Sequence, residues 1–318
     1  MLRDDILFCK SMTTIDRTNQ SSNKFNVSIA VKSSKIASIA LAVAMPIALC
    51  VPVKALQVQM TPQSPRLGDA ISVVVSLDNP ASGSNVTVSS GTETYTAYEI
   101  APNKYRAFIP TTPLEKPGSR TIRINGGPET KNLTLQVSAR KFPVQRINLP
   151  PGKAGTKATE LELRRAREFR EVRTSEKFWQ GAFKRPNQGR MSTQYGVRRY
   201  YNGVFADDYY HRGLDFAGAS GSTVVAPAAG RVVLVGTVAQ GFKVHGNVVG
   251  VDHGQGVASI FMHLKQISVK EGDFVQPGQK IGTVGSTGAS TGPHLHWGLY
   301  VNGKSIDPMP WLNGTAEK

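Results

Sequence analysis

Cysteine is almost missing from this 318-residue chain: there are two, Cys9 and Cys50, and both precede residue 56. Residues 56–318 therefore hold no disulfide, thiol nucleophile or thiolate ligand, so a metal site there must be built from nitrogen and oxygen donors. Acidic residues are scarce as well, 22 against 38 Lys and Arg, for a net charge of +16. Such a surplus attracts polyanions. No helix-turn-helix, zinc-finger or RNA-binding signature accompanies it, so nucleic acid is not expected and anionic cell-envelope polymers are the expected polyanions. Long apolar runs are absent but for IASIALAVAMPIALCVPV, Ile36 to Val53, which follows Lys32 and Lys35 and precedes Ala55. It reads as a secretory signal peptide cut after Ala55, or, if uncut, as a membrane anchor. The long polar leader makes Met12 a second candidate start, and Leu49 stands where a lipobox wants a small residue ahead of Cys50.

What remains is ordinary globular composition, with 40% hydrophobic and 19% charged residues. Between residues 56 and 138, AISVVVSLD, NVTVSS, KYRAFIP, RTIRI and NLTLQVS alternate apolar with polar positions between Gly, Pro, Asn and Ser breaks. That pattern predicts a small antiparallel β-sandwich, immunoglobulin-like in architecture, with no chemical constellation of its own. Residues 139–184 read as a linker with a helix. FPVQRINLPPGKAG (Phe142 to Gly155) is Pro/Gly-rich, and Thr156 to Trp179 has helical charge spacing with Thr156 or Thr159 as N-cap. From residue 185 the chain becomes Gly-rich. RVVLVGTV, NVVGVD, VASIFMHL, KIGTVG and HLHWGLYVNG predict an antiparallel β domain to residue 318.

All six histidines, 211, 245, 253, 263, 294 and 296, fall in that last part. In HRGLD, His211 and Asp215 share a face whether the segment is extended or helical. In HLH, His294 and His296 point the same way on a strand, about 6.5–7 Å apart. Two imidazoles and one carboxylate make a three-donor set for zinc, with a fourth position left for water. One imidazole of the HLH pair completes the set, and the other then sits beside the metal, where it can hydrogen-bond a substrate or an oxyanion. His263, in FMHL, can supply a second such group or relay a proton. His245 and His253 have no partner spacing and read as structural.

HRGLD, VDHGQGVASIFMHL and STGASTGPHLHWGLYVNG, in that order, resemble the signature blocks of the lysostaphin/LytM-type zinc endopeptidases, which cut peptide bonds of bacterial peptidoglycan. The resemblance covers about residues 185–312. It implies a zinc metallopeptidase domain with one Zn²⁺ held by His211, Asp215 and His296, and with His263 and His294 as catalytic histidines. The implied function is hydrolysis of peptidoglycan cross-links by a metal-activated water, in the periplasm, cell envelope or outside the cell. Phe261 departs from the family's usual tyrosine, so that hydroxyl has no role here. The family cuts glycine bridges or D-amino-acid cross-links, and the stem-peptide cross-link is the expectation. A non-catalytic wall-binding or amidase-activating protein with an occluded cleft is the alternative.

Two further motifs are discounted. GLYVNGKS, Gly298 to Ser305, matches the phosphate-loop pattern, but its residues read as strand and turn, with two prolines where the helix should follow. EGDFVQPGQKIGTVG resembles a biotinyl or lipoyl carrier hairpin, yet Lys280 begins a strand instead of sitting at a tip.

Overall fold

Alternation of apolar side chains builds the first half of the protein. The computed structural model describes residues 56–77, 85–127, 129–148 and 157–317. The expected signal or anchor segment, 1–55, lies outside the described residues, as does the candidate cap Thr156. No helix among the described residues is long and apolar enough to cross a membrane. Two four-stranded antiparallel sheets come first. One is ordered Gln57–Thr61, Ala70–Ser76, Lys104–Pro110, Tyr98–Ala101, and the other Glu93–Thr96, Val86–Ser90, Gly118–Gly126, Glu129–Val137. Ile71, Val73 and Val75 of one sheet and Val86, Val88, Ile122 and Ile124 of the other share a single core, as the two-residue period requires. This is a β-sandwich. Its strands Gln57–Thr61, Glu93–Thr96 and Tyr98–Ala101 were not anticipated from the sequence.

The second half is a ten-stranded sheet. Its main path runs Arg190–Thr193, Leu214–Ala217, His294–Val301, Val257–Ile267, Asn247–Gly254, Gly230–Gly236, Phe274–Val275. All its pairings are antiparallel. The protein is thus mainly β. Asn302 and Gly303 make a positive-φ turn between His294–Val301 and Lys304–Ile306, so GLYVNGKS is a hairpin and no helix receives its loop. Lys280 opens the strand Lys280–Val284, as expected.

Two expectations between these halves need correction. The residues predicted as helix to Trp179 form a shorter one, Glu160–Glu171 (α1), capped by Thr159, whose hydroxyl accepts from Glu162 N at 3.1 Å. The chain leaves the helix because residues 174–178 bind the hairpin end at residues 253–255. The Thr174 carbonyl accepts from Gln255 N at 2.6 Å, and Phe178 N donates to the His253 carbonyl at 3.0 Å. Trp179 is then buried between Phe108 and Trp311. The stretch predicted as linker also holds a strand, Val144–Ile147, paired in parallel with Arg198–Tyr201.

Helix α1 docks on the large sheet through Phe169, which is buried with Leu234, Phe242, Ile260 and Tyr300. Gly250 forms the socket: a Cβ there would lie 2.7 Å from the Phe169 ring. The docked helix stands beside the histidine-bearing strands.

Candidate metal centre

Register builds the centre. On neighbouring strands Asp215 lies opposite His296, so their side chains emerge together on one face. His211 stands just before the strand Leu214–Ala217. Its Nδ1 lies 2.8 Å from the Gln194 carbonyl, which can only accept, so Nδ1 carries the proton of the neutral ring and the Nε2 lone pair turns inward. The close approach that allows this is at Gly213, where a Cβ would lie 2.3 Å from the Trp297 carbonyl oxygen.

The three groups converge closely. His211 Nε2 lies 3.0 Å from Asp215 Oδ1 and 3.0 Å from His296 Nδ1, which is 2.9 Å from the same Oδ1. All three side chains are buried. With His211 Nε2 bare, the protons available to this triangle cannot fill its three edges as hydrogen bonds. One cation satisfies all three lone pairs. Tetrahedral donors at zinc bond lengths stand about 3.3 Å apart, close to this spacing, and a nitrogen–oxygen set without sulfur suits zinc or a similar divalent ion. Among the described residues this is the one such group of three whose donor atoms lie within 4.8 Å of one another.

Electrostatics keep the donors in binding form. Burial pushes the Asp215 carboxyl up, but the rings of His211 and His296 outweigh it and hold it far below the usual carboxylate range. Burial takes His296 down to about 4, against the opposing pull of Asp215, so its ring is neutral near pH 7.

Two more imidazoles stand beside the triangle. His263 and His294 have ring centroids 4.9 Å apart, and His263 lies 6.4 Å from His296. His263 Nδ1 donates to the Thr287 carbonyl at 2.9 Å and His294 Nδ1 to the Gly292 carbonyl at 2.8 Å. In its neutral form each ring therefore carries its proton on Nδ1 and keeps Nε2 as an acceptor. Burial, then the charges of His296 and His294, holds His263 down at about 3. Strand alternation would put His263 on the face opposite Met262. A left-handed backbone at His263, φ +63°, breaks the alternation, and both side chains line the cleft. His263 thus sits within the strand Val257–Ile267, well inside its ends.

His245 and His253 stay outside the triangle. His253 is fully buried between the Ala229 carbonyl and the Ser259 hydroxyl, both at 2.8 Å. His245 meets α1 instead, through a residue that sequence reasoning missed. The buried Glu162 carboxylate accepts from Lys243 N at 3.0 Å, Val244 N at 3.0 Å, His245 N at 2.7 Å and His245 Nδ1 at 2.6 Å. The 243–245 segment continues to the centre, since His263 N donates to the His245 carbonyl at 3.0 Å. Burial pushes the Glu162 carboxyl up, but these donors and the charge of His245 prevail and hold it at about 2. A carboxyl depressed in this way stabilises docking fully above its unfolded value of about 4.5, and the stabilisation is lost as pH falls toward 2. Amide exchange in α1 and residues 243–245 is expected to rise across that window. Glu162→Ala should show fast exchange at pH 7 and no further step below 4.5. The signal was present in the spacing: Glu162, Ala166 and Phe169, at i, i+4 and i+7, head one buried stripe.

The triangle, the flanking imidazoles and α1 surround an open cleft of about 880 Å³. Residues 209–308, which contain His211, Asp215, His263, His294 and His296, match the model of Peptidase family M23. The chain carries an M23 peptidase domain. Over 128 residues it is 37% identical to the DD-carboxypeptidase/endopeptidase Mpg of Neisseria meningitidis serogroup B, covering 40% of this chain and 28% of that protein. Over 131 residues it is 34% identical to the murein hydrolase activator NlpD of Salmonella dublin, covering 41% of this chain and 31% of that protein. The chain thus spans less than a third of the length of these two curated relatives. A crystal structure of a candidate M23 peptidase from Pseudomonas aeruginosa is similar over 79% of this chain and 95% of its own, at 27% identity and a TM-score of 0.58. That likeness reaches well beyond the M23 domain.

Proposed function

We propose that the protein is a zinc-dependent endopeptidase that hydrolyses peptide cross-links of bacterial peptidoglycan, acting in the cell envelope after export. The observation that carries this reading is the convergence of His211, Asp215 and His296 within 3.0 Å, with two acceptor imidazoles beside them, in an open cleft. Zinc held by those three side chains would supply a Lewis acid for the scissile carbonyl and bring the pKa of a coordinated water toward about 7. His263 and His294, fixed by backbone carbonyls at Nδ1, present Nε2 to take a proton from the attacking water. Once protonated, either ring can donate from Nε2 to the oxyanion or to the departing amine. The relative Mpg supports a cutting role.

The relative NlpD, a murein hydrolase activator, supports the second reading, in which the same cleft holds wall peptide without cutting it. Intact peptidoglycan incubated with the protein, with chelator, and with chelator followed by zinc separates the two, with products read by mass spectrometry. Chelator-sensitive, zinc-restored loss of cross-linked peptides is expected. Zinc-loaded protein that leaves every cross-link intact overturns the endopeptidase reading and leaves the activator.

A further inference from the structure

Some arginines outside the cleft pair with carboxylates. Arg106 pairs with Glu317, Arg120 with Glu115 at 2.8 Å, Arg140 with Asp307 at 2.7 Å, and Arg165 with Glu168 at 3.0 Å. The lining of the cleft is short of carboxylates. Asp215 of the triangle is the one carboxylate lining it among the described residues, whereas three guanidinium groups line it: Arg170 on α1, Arg199 on the strand Arg198–Tyr201, and Arg212 beside His211. None of the three forms an ion pair with a described residue.

Two of them are built in. Arg199 donates from Nε to Gln145 Oε1 at 3.1 Å, and from Nη1 to the Tyr209 hydroxyl at 2.8 Å and the Tyr201 hydroxyl at 3.3 Å. Its Nη2 has no hydrogen-bond partner among the described residues. Arg212 lies over the Tyr210 ring at 4.9 Å and the Tyr209 ring at 5.9 Å, which orients its plane while its N–H donors make no hydrogen bond among the described residues. Each of two cleft tyrosines stands near two of the three charges. Burial raises the Tyr209 hydroxyl pKa while Arg199 and Arg212 pull against it, and burial raises that of Tyr300 while Arg212 and Arg170 do the same.

We infer that Arg199 and Arg212, with Arg170 adding charge at the far wall, form a carboxylate-binding subsite, and that the peptide taken by this cleft carries a free carboxylate close to its scissile bond. The inference rests on the endopeptidase reading and narrows it, since a glycine bridge carries no such charge while an acidic stem peptide does. A planar guanidinium with unspent N–H groups suits a carboxylate, and the charge assists the hydrogen bond.

The test uses the zinc-loaded full chain and two synthetic cross-linked stem peptides, one with free carboxylates and one with the same carboxylates amidated. Binding is read by calorimetry and cutting by chromatography. The acid form is expected to bind and react at least about tenfold better. Arg212→Gln, whose wild-type side chain holds no hydrogen bond that the fold would miss, should bring the two forms within about twofold, and so should Arg199→Gln if it folds. Equal binding of acid and amide, or a preference that survives Arg212→Gln, overturns the subsite. Tighter binding of acid than of amide with neither cut sustains the subsite and removes the endopeptidase reading, whereas equal cutting of both does the reverse. Inorganic phosphate is the competing anion. If it binds more tightly than the acid peptide and loses that binding in Arg212→Gln, the occupant is a phosphate polymer and the peptide assignment fails.

Discussion

Asp215→Asn is expected to lower peptide hydrolysis by at least about 10³-fold while the protein stays folded. Asparagine fills the same space, so the strand pairing that sets Asp215 opposite His296 has no reason to change. What it removes is the negative charge and one of the three lone-pair donors, and the remaining imidazoles cannot hold a divalent ion with comparable affinity. Metal analysis and turnover should therefore fall together. His263→Ala and His294→Ala should behave differently: their rings lie outside the triangle, so metal content should persist while turnover falls about 10²- to 10³-fold. The split between variants that lose metal and variants that keep it is the informative result. If Asp215→Asn retains wild-type turnover with no metal bound, the proposed chemistry is wrong.

Gly213→Ala is expected to be nearly as damaging without touching a donor atom. A Cβ at 213 would fall 2.3 Å from the Trp297 carbonyl oxygen and 2.9 Å from the Gly298 Cα. Both are backbone in the strand that carries His296, so neither can swing away as a side chain would. Leu214 pairs with Trp297 and Asp215 with His296, and relief of the clash means moving these strands apart where the triangle is formed. A shift on the order of 1 Å costs about 100-fold in rate when reacting groups must stay aligned, and overpacking costs about 1–3 kcal/mol of stability. Reduced zinc affinity, a lower Tm and an unchanged far-ultraviolet circular dichroism spectrum are the expected signature. Wild-type affinity and turnover would show that the strands can separate there without cost to the centre.

How far the sequence revealed this arrangement depends on whether the deciding contact was local. His211 with Asp215, and the HLH pair, could be read because spacing on one element sets which side chains share a face. The longer strands of both halves were visible for the same reason, whereas short ones such as Glu93–Thr96 and Leu214–Ala217 were not. The end of α1 was not visible, because the charge pattern continues to Trp179 and what stops the helix is pairing with residues 253–255, about 80 positions away in the chain. Nor was the place of His263 visible, since it depends on one left-handed residue that a two-residue period does not reveal. Gly213 was part of a quoted motif, yet its reason is a carbonyl on another strand. The spacing of Glu162 marks its buried stripe, but its partners, backbone amides of a distant loop, are not legible in the sequence.

The wall of the cleft has a consequence for inheritance of specificity. Arg170 and Leu163 come from α1, Gln145 and Ile147 from the short parallel strand, and Arg199 from its partner, and all of these precede residue 209, where the match to the M23 family begins. The histidine centre and one wall of its cleft are thus carried by different stretches of the chain, with Arg212 on the centre's side. Two proteins can share the whole M23 segment and still differ in the wall that faces it, and a fragment trimmed to residues 209–308 would keep the histidines while losing one side of the cleft.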